Sequence, residues 1–289
     1  MMEWSRAHQY RRIIAVLVFS ILVAALAFIV YTVTKKESLQ GLLIDLELQG
    51  PDPTRCAELR DAFVRKLPAQ ARSMRNVEVS LQYVHFTGVT ESLLCSREVD
   101  FVLLSPQGTP WYMYRAEEGE HLERLKNILR NVIVSHPTPV LGICGGHQFL
   151  ALAFGGTVDF IDGTLIGTFP ERYPAEAISE RGPIELETIR DDRILEGVAP
   201  HPGRFTVLES HYEEVKTIPE PFVNIARSCM SEVQLMRIPN RLVYGMAFHP
   251  ERGWDIDTQC ESRRCAGKQV LENFLTMVRS SKRSRTMAR

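Results

Sequence analysis

No internal repeat and no low-complexity block interrupts the 289 residues of this sequence, which excludes repeat architectures. Charge of one sign is missing as well. Against 34 Lys and Arg stand 35 Asp and Glu, leaving a formal net charge of −1, so no broad attraction to nucleic acid is expected. The six cysteines, Cys56, Cys95, Cys144, Cys229, Cys260 and Cys265, form no CxxC pair and no disulfide-dense framework. Whether Cys260 and Cys265 pair or stay free thiols is open. Cys144 and His147 have the spacing of half a metal site, but no second pair at zinc-finger spacing accompanies them, so no metal is expected. Neither GxxxxGK[ST] nor GxGxxG occurs, and no cofactor is expected.

What is present is unevenly placed. Ile13 to Val33, IIAVLVFSILVAALAFIVYTV, carries no charge, and about 20 apolar residues in a helix cross the hydrocarbon core of a bilayer. Ala25-Leu26-Ala27 resembles a signal-peptide cleavage site, yet the apolar run continues beyond it to Val33. The expectation is therefore a single-pass membrane protein: a tail over 1–12, an uncleaved anchor over 13–33 and a linker over 34–40. Arg6, Arg11 and Arg12 precede the span, while Lys35 and Lys36 follow it. That margin of one charge slightly favours placing the large domain outside the cytoplasm and leaves the side open. The domain itself is expected over 41–278, with a basic tail over 279–289.

Within 41–278, short apolar runs alternate with helical stripes. GLLIDL from Gly41, Val77 to Val84, VDFVLL from Val99 and Pro139 to Ile143 read as strands. Pro53 to Leu67, Glu117 to Val134 (Leu122, Leu125, Ile128, Leu129, Val132) and Gln148 to Phe154 read as helices. Alternation of this kind predicts an α/β domain with a parallel sheet covered on both faces. From Thr157 to Phe248 the pattern is richer in strands, with IELETI, RFTVLES, VQLMRI and LVYGMAF, and Leu271 to Val278 reads as a closing helix.

The chemistry centres on Gly142-Ile143-Cys144-Gly145-Gly146, between a predicted strand and a predicted helix. That is the setting of a nucleophile elbow with cysteine in place of serine. A helix N-terminus aimed at the sulfur favours thiolate over thiol, and the Gly145 N–H would face an oxyanion formed beside it. A glycine-rich turn that merely packs closely is the competing reading. The proton carrier best placed is His249 in LVYGMAFHPERG, just past a strand end, where Pro250 forces the chain to turn and Glu251 can orient the ring. Cys144, His249 and Glu251 then read as nucleophile, general acid/base and orienting carboxylate.

GICGGHQ and AFHPE, with Cys144 and His249 105 residues apart, resemble the class I (triad) glutamine amidotransferase family over roughly Gly41 to Val278. The resemblance implies a flavodoxin-like domain with a central, mostly parallel sheet. It implies hydrolysis of a γ-glutamyl amide, glutamine or similar, through a thioester on Cys144. By the same resemblance Gly108 in LLSPQGTP is an oxyanion donor beside Gly145, Gln148 contacts the substrate, and Ser210-His211 binds its amino-acid end. Most family members carry a leucine or aromatic where this chain has Gly145. The usual glycine-rich loop is here SPQGTPWYMY, with Trp111, Tyr112 and Tyr114 lining a pocket or packing in the core. No synthetase domain is read in the chain, so ammonia would pass to a separate partner or be released. Three readings follow: a glutaminase component feeding a partner synthetase, a stand-alone γ-glutamyl-peptide hydrolase, and a catalytically silent membrane-tethered binding protein.

Overall fold

The structure is a computed structural model in which residues 18–24, 36–48, 53–67, 74, 76–114, 117–199, 201–252 and 266–287 are described. It divides into two units, Met1–Glu37 and Ser38–Arg289. In the first, residues 18–24 form a short helix with exposed side chains. Among the described residues no helix is long and apolar enough to cross a membrane. This overturns the expected membrane-spanning helix over 13–33 and the single-pass placement built on it; the remainder of that stretch lies outside the described residues. Hydropathy counts apolar residues, and a high count does not by itself establish a helix of spanning length.

The second unit is a nine-stranded sheet with helices on both faces, in the strand order β2-β1-β3-β4-β11-β10-β9-β6-β7. Its first half alternates as the sequence implies: β1 (Glu37–Asp45), α1 (Pro53–Arg60), β2 (Val77–His85), α2 (Glu91–Leu94), β3 (Phe101–Leu104), α3 (Glu117–Ser135), β4 (Val140–Ile143) and α4 (Gly145–Ala153). α1 continues into a π-helical turn over Asp61–Lys66. The second half is mostly strand: β5 (Thr157–Phe160), β6 (Glu180–Thr188), β7 (Arg204–His211), β8 (Glu213–Thr217), β9 (Val223–Arg227), β10 (Leu235–Arg237) and β11 (Val243–Met246), closed by α5 (Gly267–Met287). β5 and β8 make a separate two-stranded sheet.

β1, β3, β4 and β11 are parallel, with Gly41 opposite Phe101, Val102 opposite Val140, and Val243 opposite Val140. Beyond β11 the pairs with β10, β9, β6 and β7 are all antiparallel, so the sheet is mixed and not mostly parallel as expected. The reason lies in the connections. Parallel neighbours need a crossover, which the helices of the first half supply, whereas among the described residues no α-helix separates the strands from β5 to β11, and the chain returns antiparallel.

The two faces follow from the period of two along each buried strand. Leu43, Phe101, Leu103, Leu141 and Ile143 face α1 and α5, together with Phe63, Leu271 and Phe274. Leu42, Ile44, Val102, Leu104 and Val140 face α3 and α4, together with Leu122, Leu125, Leu129 and Phe149. The helical stripe predicted for Glu117 to Val134 is thus the buried face of α3. α5 contains the expected closing helix but continues to Met287, through residues expected to be tail. There Lys282 Nζ donates to Ser38 O and Asp100 Oδ2, both at 2.7 Å, fixing the extra turns to the start of β1 and to the residue before β3.

Candidate active site

Parallel pairing brings the site together. β11 lies beside β4 with Met246 opposite Ile143, so both strands end at the same edge of the sheet. Cys144 follows one strand end and His249 follows the other, at the carboxyl edge where open α/β sheets bind ligands.

At Cys144 the backbone takes φ 49° and ψ −104°, outside the regions open to non-glycine residues. Strain of this kind, on the order of 1–3 kcal/mol, persists only where the surroundings over-determine it. Here the Cys144 N–H donates to Met246 O at 2.8 Å and its carbonyl accepts from the Gln148 N–H at 3.1 Å. The glycines around it are demanded by close approach. A Cβ on Gly142 would stand 2.4 Å from Gly146 O, and one on Gly146 would stand 2.4 Å from Leu104 O. The tight crossing of β3, β4 and α4 therefore sets the corner that presents the sulfur.

His249 and Glu251 are 3% and 4% exposed. The His249 Nδ1–H donates to Glu251 Oε1 at 2.7 Å, and its backbone N–H donates to Leu208 O at 2.8 Å, tying the turn to β7. Nε2 is buried with no oxygen or nitrogen partner, and the Cys144 thiol is the group that acts on it. Burial pushes the His249 ring down, but the charges of Glu251 and Cys144 more than reverse this and raise it to about 10. Burial likewise pushes the Cys144 thiol up, and His249, with His211, pulls it net below its ordinary value. The two shifts describe one interaction, in which each group favours the charged form of the other.

A cleft of about 180 Å³ opens on the sulfur and is lined by Gln107, Gly108, Gln148, Ser210 and His211 among others. Each expected site residue thus lies at this cleft or directly behind it, but several are committed to protein partners. Gln148 Oε1 accepts from Trp111 Nε1 at 2.6 Å, and its Nε2 donates to Glu213 O at 2.8 Å. The Gly108 N–H donates to Glu47 Oε2 at 2.8 Å, and Thr109 Oγ1 donates to the same carboxylate. The backbone nitrogen that approaches Gly145 is that of Gln107, 2.8 Å from where a Cβ on Gly145 would stand. The Gln107 Nε2 is buried without a hydrogen-bond partner.

Trp111 packs on Phe149 and Tyr114, with ring centroids 5.6 and 5.2 Å away. The Tyr112 hydroxyl donates to Pro170 O at 2.6 Å. These aromatics pack beside the cleft. Tyr173 and Arg181 do line it, from a segment whose role the sequence did not signal. The Tyr173 hydroxyl donates to Glu213 Oε2 at 2.9 Å, and burial raises the Glu213 carboxyl to about 7.

His147, the candidate partner of Cys144 in half a metal site, donates from Nε2 to Val233 O at 3.1 Å. Burial, with the charge of His211, pushes its ring down to about 3, so it is a neutral core residue. Among the described residues, Glu180, Glu209 and His211 are the group whose ligand atoms lie close enough to hold a metal ion. Sequence reasoning does not single out the two glutamates.

Comparisons with known proteins show the family. The family model described as Glutamine amidotransferase class-I matches residues 59–257. A glutamine-hydrolyzing GMP synthase subunit from Methanosarcina barkeri is 36% identical over 204 residues, which cover 71% of this chain and 86% of that protein. The protein of the same name from Methanocaldococcus jannaschii is 30% identical over 203 residues, covering 70% and 87%. The solved structure of a glutamine amidotransferase from Thermotoga maritima has the same fold, with a TM-score of 0.56 at 19% identity over 83% of this chain and 97% of that one. With a strained cysteine and a carboxylate-bound histidine at the ends of paired strands, and with these matches, the chain belongs to the class I glutamine amidotransferase family.

Proposed function

We propose that this chain hydrolyses the side-chain amide of glutamine through a γ-glutamyl thioester on Cys144. The observation that carries the reading is the Cys144 corner, set beside a buried histidine whose other nitrogen is held by a carboxylate at 2.7 Å. The Cys144 thiolate attacks the amide carbon, and the resulting oxyanion lies at the N-terminus of α4, where the Gly145 N–H and the helix dipole oppose its charge. His249 gives its Nε2 proton to the departing nitrogen, the C–N bond breaks, and ammonia leaves. Water then attacks the thioester with His249 taking its proton, the C–S bond breaks, and glutamate leaves with Cys144 restored. Glu251 holds the ring throughout. Gly108, Gln148, Ser210 and His211 belong to the substrate-side wall in this reading. For Gly108 to serve as an oxyanion donor, its N–H must leave Glu47.

The relatives are named as one component of a glutamine-hydrolyzing GMP synthase. That favours a glutaminase component passing ammonia to a separate synthetase partner. A closed pocket lined by Trp111 and Tyr112 would favour the hydrolase alternative, and neither lines the cleft. The side chains of Ile166 and Phe169 are 52% and 67% exposed on the segment that leads to Tyr173, an apolar edge suited to a partner. The silent-binder reading is disfavoured by the intact Cys144–His249–Glu251 arrangement. The test is to measure ammonia and glutamate released from glutamine and from a panel of γ-glutamyl amides and peptides, with Cys144→Ala as control. Release from glutamine that disappears in the variant supports the proposal. Turnover of γ-glutamyl peptides alone would favour the hydrolase.

A further inference from the structure

Behind one wall of the cleft lies a charged cluster that the steps above do not use. Glu209 and His211 are two apart on β7 and share a face of the strand. The antiparallel register of β6 and β7 sets Glu180 opposite His211. His211 Nε2 lies 3.2 Å from Glu180 Oε2 and 3.2 Å from Glu209 Oε2. Its Nδ1 lies 2.9 Å from Glu213 O, which can only accept, so Nδ1 carries a proton. Nε2 also faces acceptors alone. With both carboxylates ionised, Nε2 stands within ion-pair distance of two negative charges, the contact that a charged ring makes. Exposure is 0% for Glu180, 4% for Glu209 and 5% for His211, so little water reaches the group. A neutral ring there would leave buried carboxylates without a cation.

We infer that Glu180 and Glu209 hold His211 as a second imidazolium beside the cleft, so that Cys144 ionises in the field of two cations, His249 and His211. The inference rests on the reading of Cys144 as the nucleophile. His211 acts as a positioning residue. Its Nε2 is committed to the two carboxylates, and the proton carrier remains His249. The groups facing His211 are consistent with this. From the elbow, the Cys144 thiol is pulled below its ordinary value, by His249 first and then by His211, against its burial. From α4, His147 stays neutral. From β7, Glu209 opposes ionisation of the thiol, and burial raises its own carboxyl. Burial would discharge His211, but the Glu209 charge and the hydrogen bonds to Glu180 and Glu209 hold it well above an ordinary histidine.

Alkylation of Cys144 by iodoacetamide, followed at that peptide across pH in the full chain without substrate, reads the thiolate directly. It is independent of what the enzyme turns over, so a failure of the glutamine reading and a failure of this one are distinguishable. His211→Gln is expected to raise the midpoint by about one pH unit, slowing alkylation below the midpoint about tenfold. Glu180→Gln combined with Glu209→Gln is expected to do the same, and Glu209→Asp, which keeps the charge, to stay near wild type. An unmoved midpoint in either of the first two overturns the inference. Nuclear magnetic resonance of the wild-type rings needs no substitution. Two of the eight histidines, His211 and His249, are expected to remain doubly protonated at pH 8; one or none overturns it. So does a stoichiometric divalent metal found at Glu180, Glu209 and His211, since it would replace the Nε2 proton.

Discussion

Replacing Glu251 by glutamine would isolate charge from geometry. A carboxamide oxygen can still accept from His249 Nδ1, where the carboxylate now stands at 2.7 Å. What disappears is the negative charge that opposes the discharging effect of burial on the ring. Breaking a buried pair from one side costs about 3–5 kcal/mol. Because 1.36 kcal/mol is tenfold in rate, the thiolate–imidazolium form and kcat should fall by roughly two to nearly four powers of ten. KM should change little, because Glu251 does not line the cleft. Stability gives a second readout with a fixed sign. The His249 ring is raised from an ordinary 6.5 to about 10, so its contribution is complete below pH 6.5 and is lost as pH rises through 10. The gap in Tm between wild type and Glu251→Gln should therefore be widest near pH 6.5, on the order of 10 °C, and close towards pH 10. The assays are glutamate release across substrate concentration and thermal unfolding at several pH values. A variant within about threefold of wild-type kcat, or a Tm gap that does not change with pH, would refute the reasoning.

Other consequences can be measured on the same protein. Cys144→Ala should abolish turnover in a protein that still folds, and a glutamine-analogue electrophile should label Cys144 alone among the six cysteines. Labelling elsewhere would count against the assignment. Gly146→Ala must displace Leu104 O, now 2.4 Å from the added carbon, and should lower Tm by several degrees through overpacking of about 1–3 kcal/mol or more. A Tm equal to wild type would mean that the crossing of β3 and α4 is not tight. Glu47→Gln, which removes the charge holding the Gly108 N–H and Thr109, should raise basal glutamine hydrolysis several-fold. An unchanged rate would turn the oxyanion assignment away from Gly108. Lys282→Ala removes a pair whose lysine is 37% exposed and should cost no more than about 1 kcal/mol in a denaturant titration.

Much of the fold was legible because the parallel strands are buried on both sides. FVLL and VLGI are short, continuous and apolar, as a strand between two helical layers must be. The elbow was legible from its glycines, and the geometry supplies their cause in the carbonyls of Leu104 and Gly146. The antiparallel half was harder to read, since β9 is short and half-polar, and its place between β10 and β6 is set by tertiary pairing. The residues that sequence reasoning missed share one feature, partnership across long separations. Glu47 reaches Gly108, 61 residues on, and Glu180 meets His211 only through the β6–β7 register. Glu209, two residues before His211, was the one signal available, an acidic side chain near the end of the predicted strand RFTVLES. The apolar run over 13–33 misled because hydropathy counts residues, and among the described residues no helix is long and apolar enough to cross a membrane.

The central claim is that catalysis runs through a γ-glutamyl thioester on Cys144. Acid-quenching the enzyme during glutamine turnover, followed by peptide mass spectrometry, tests it most directly. The account predicts a γ-glutamyl adduct confined to the peptide that carries Cys144, absent when His249→Ala blocks acylation. Steady glutamate release with no adduct on Cys144, or with the adduct on another residue, would contradict it.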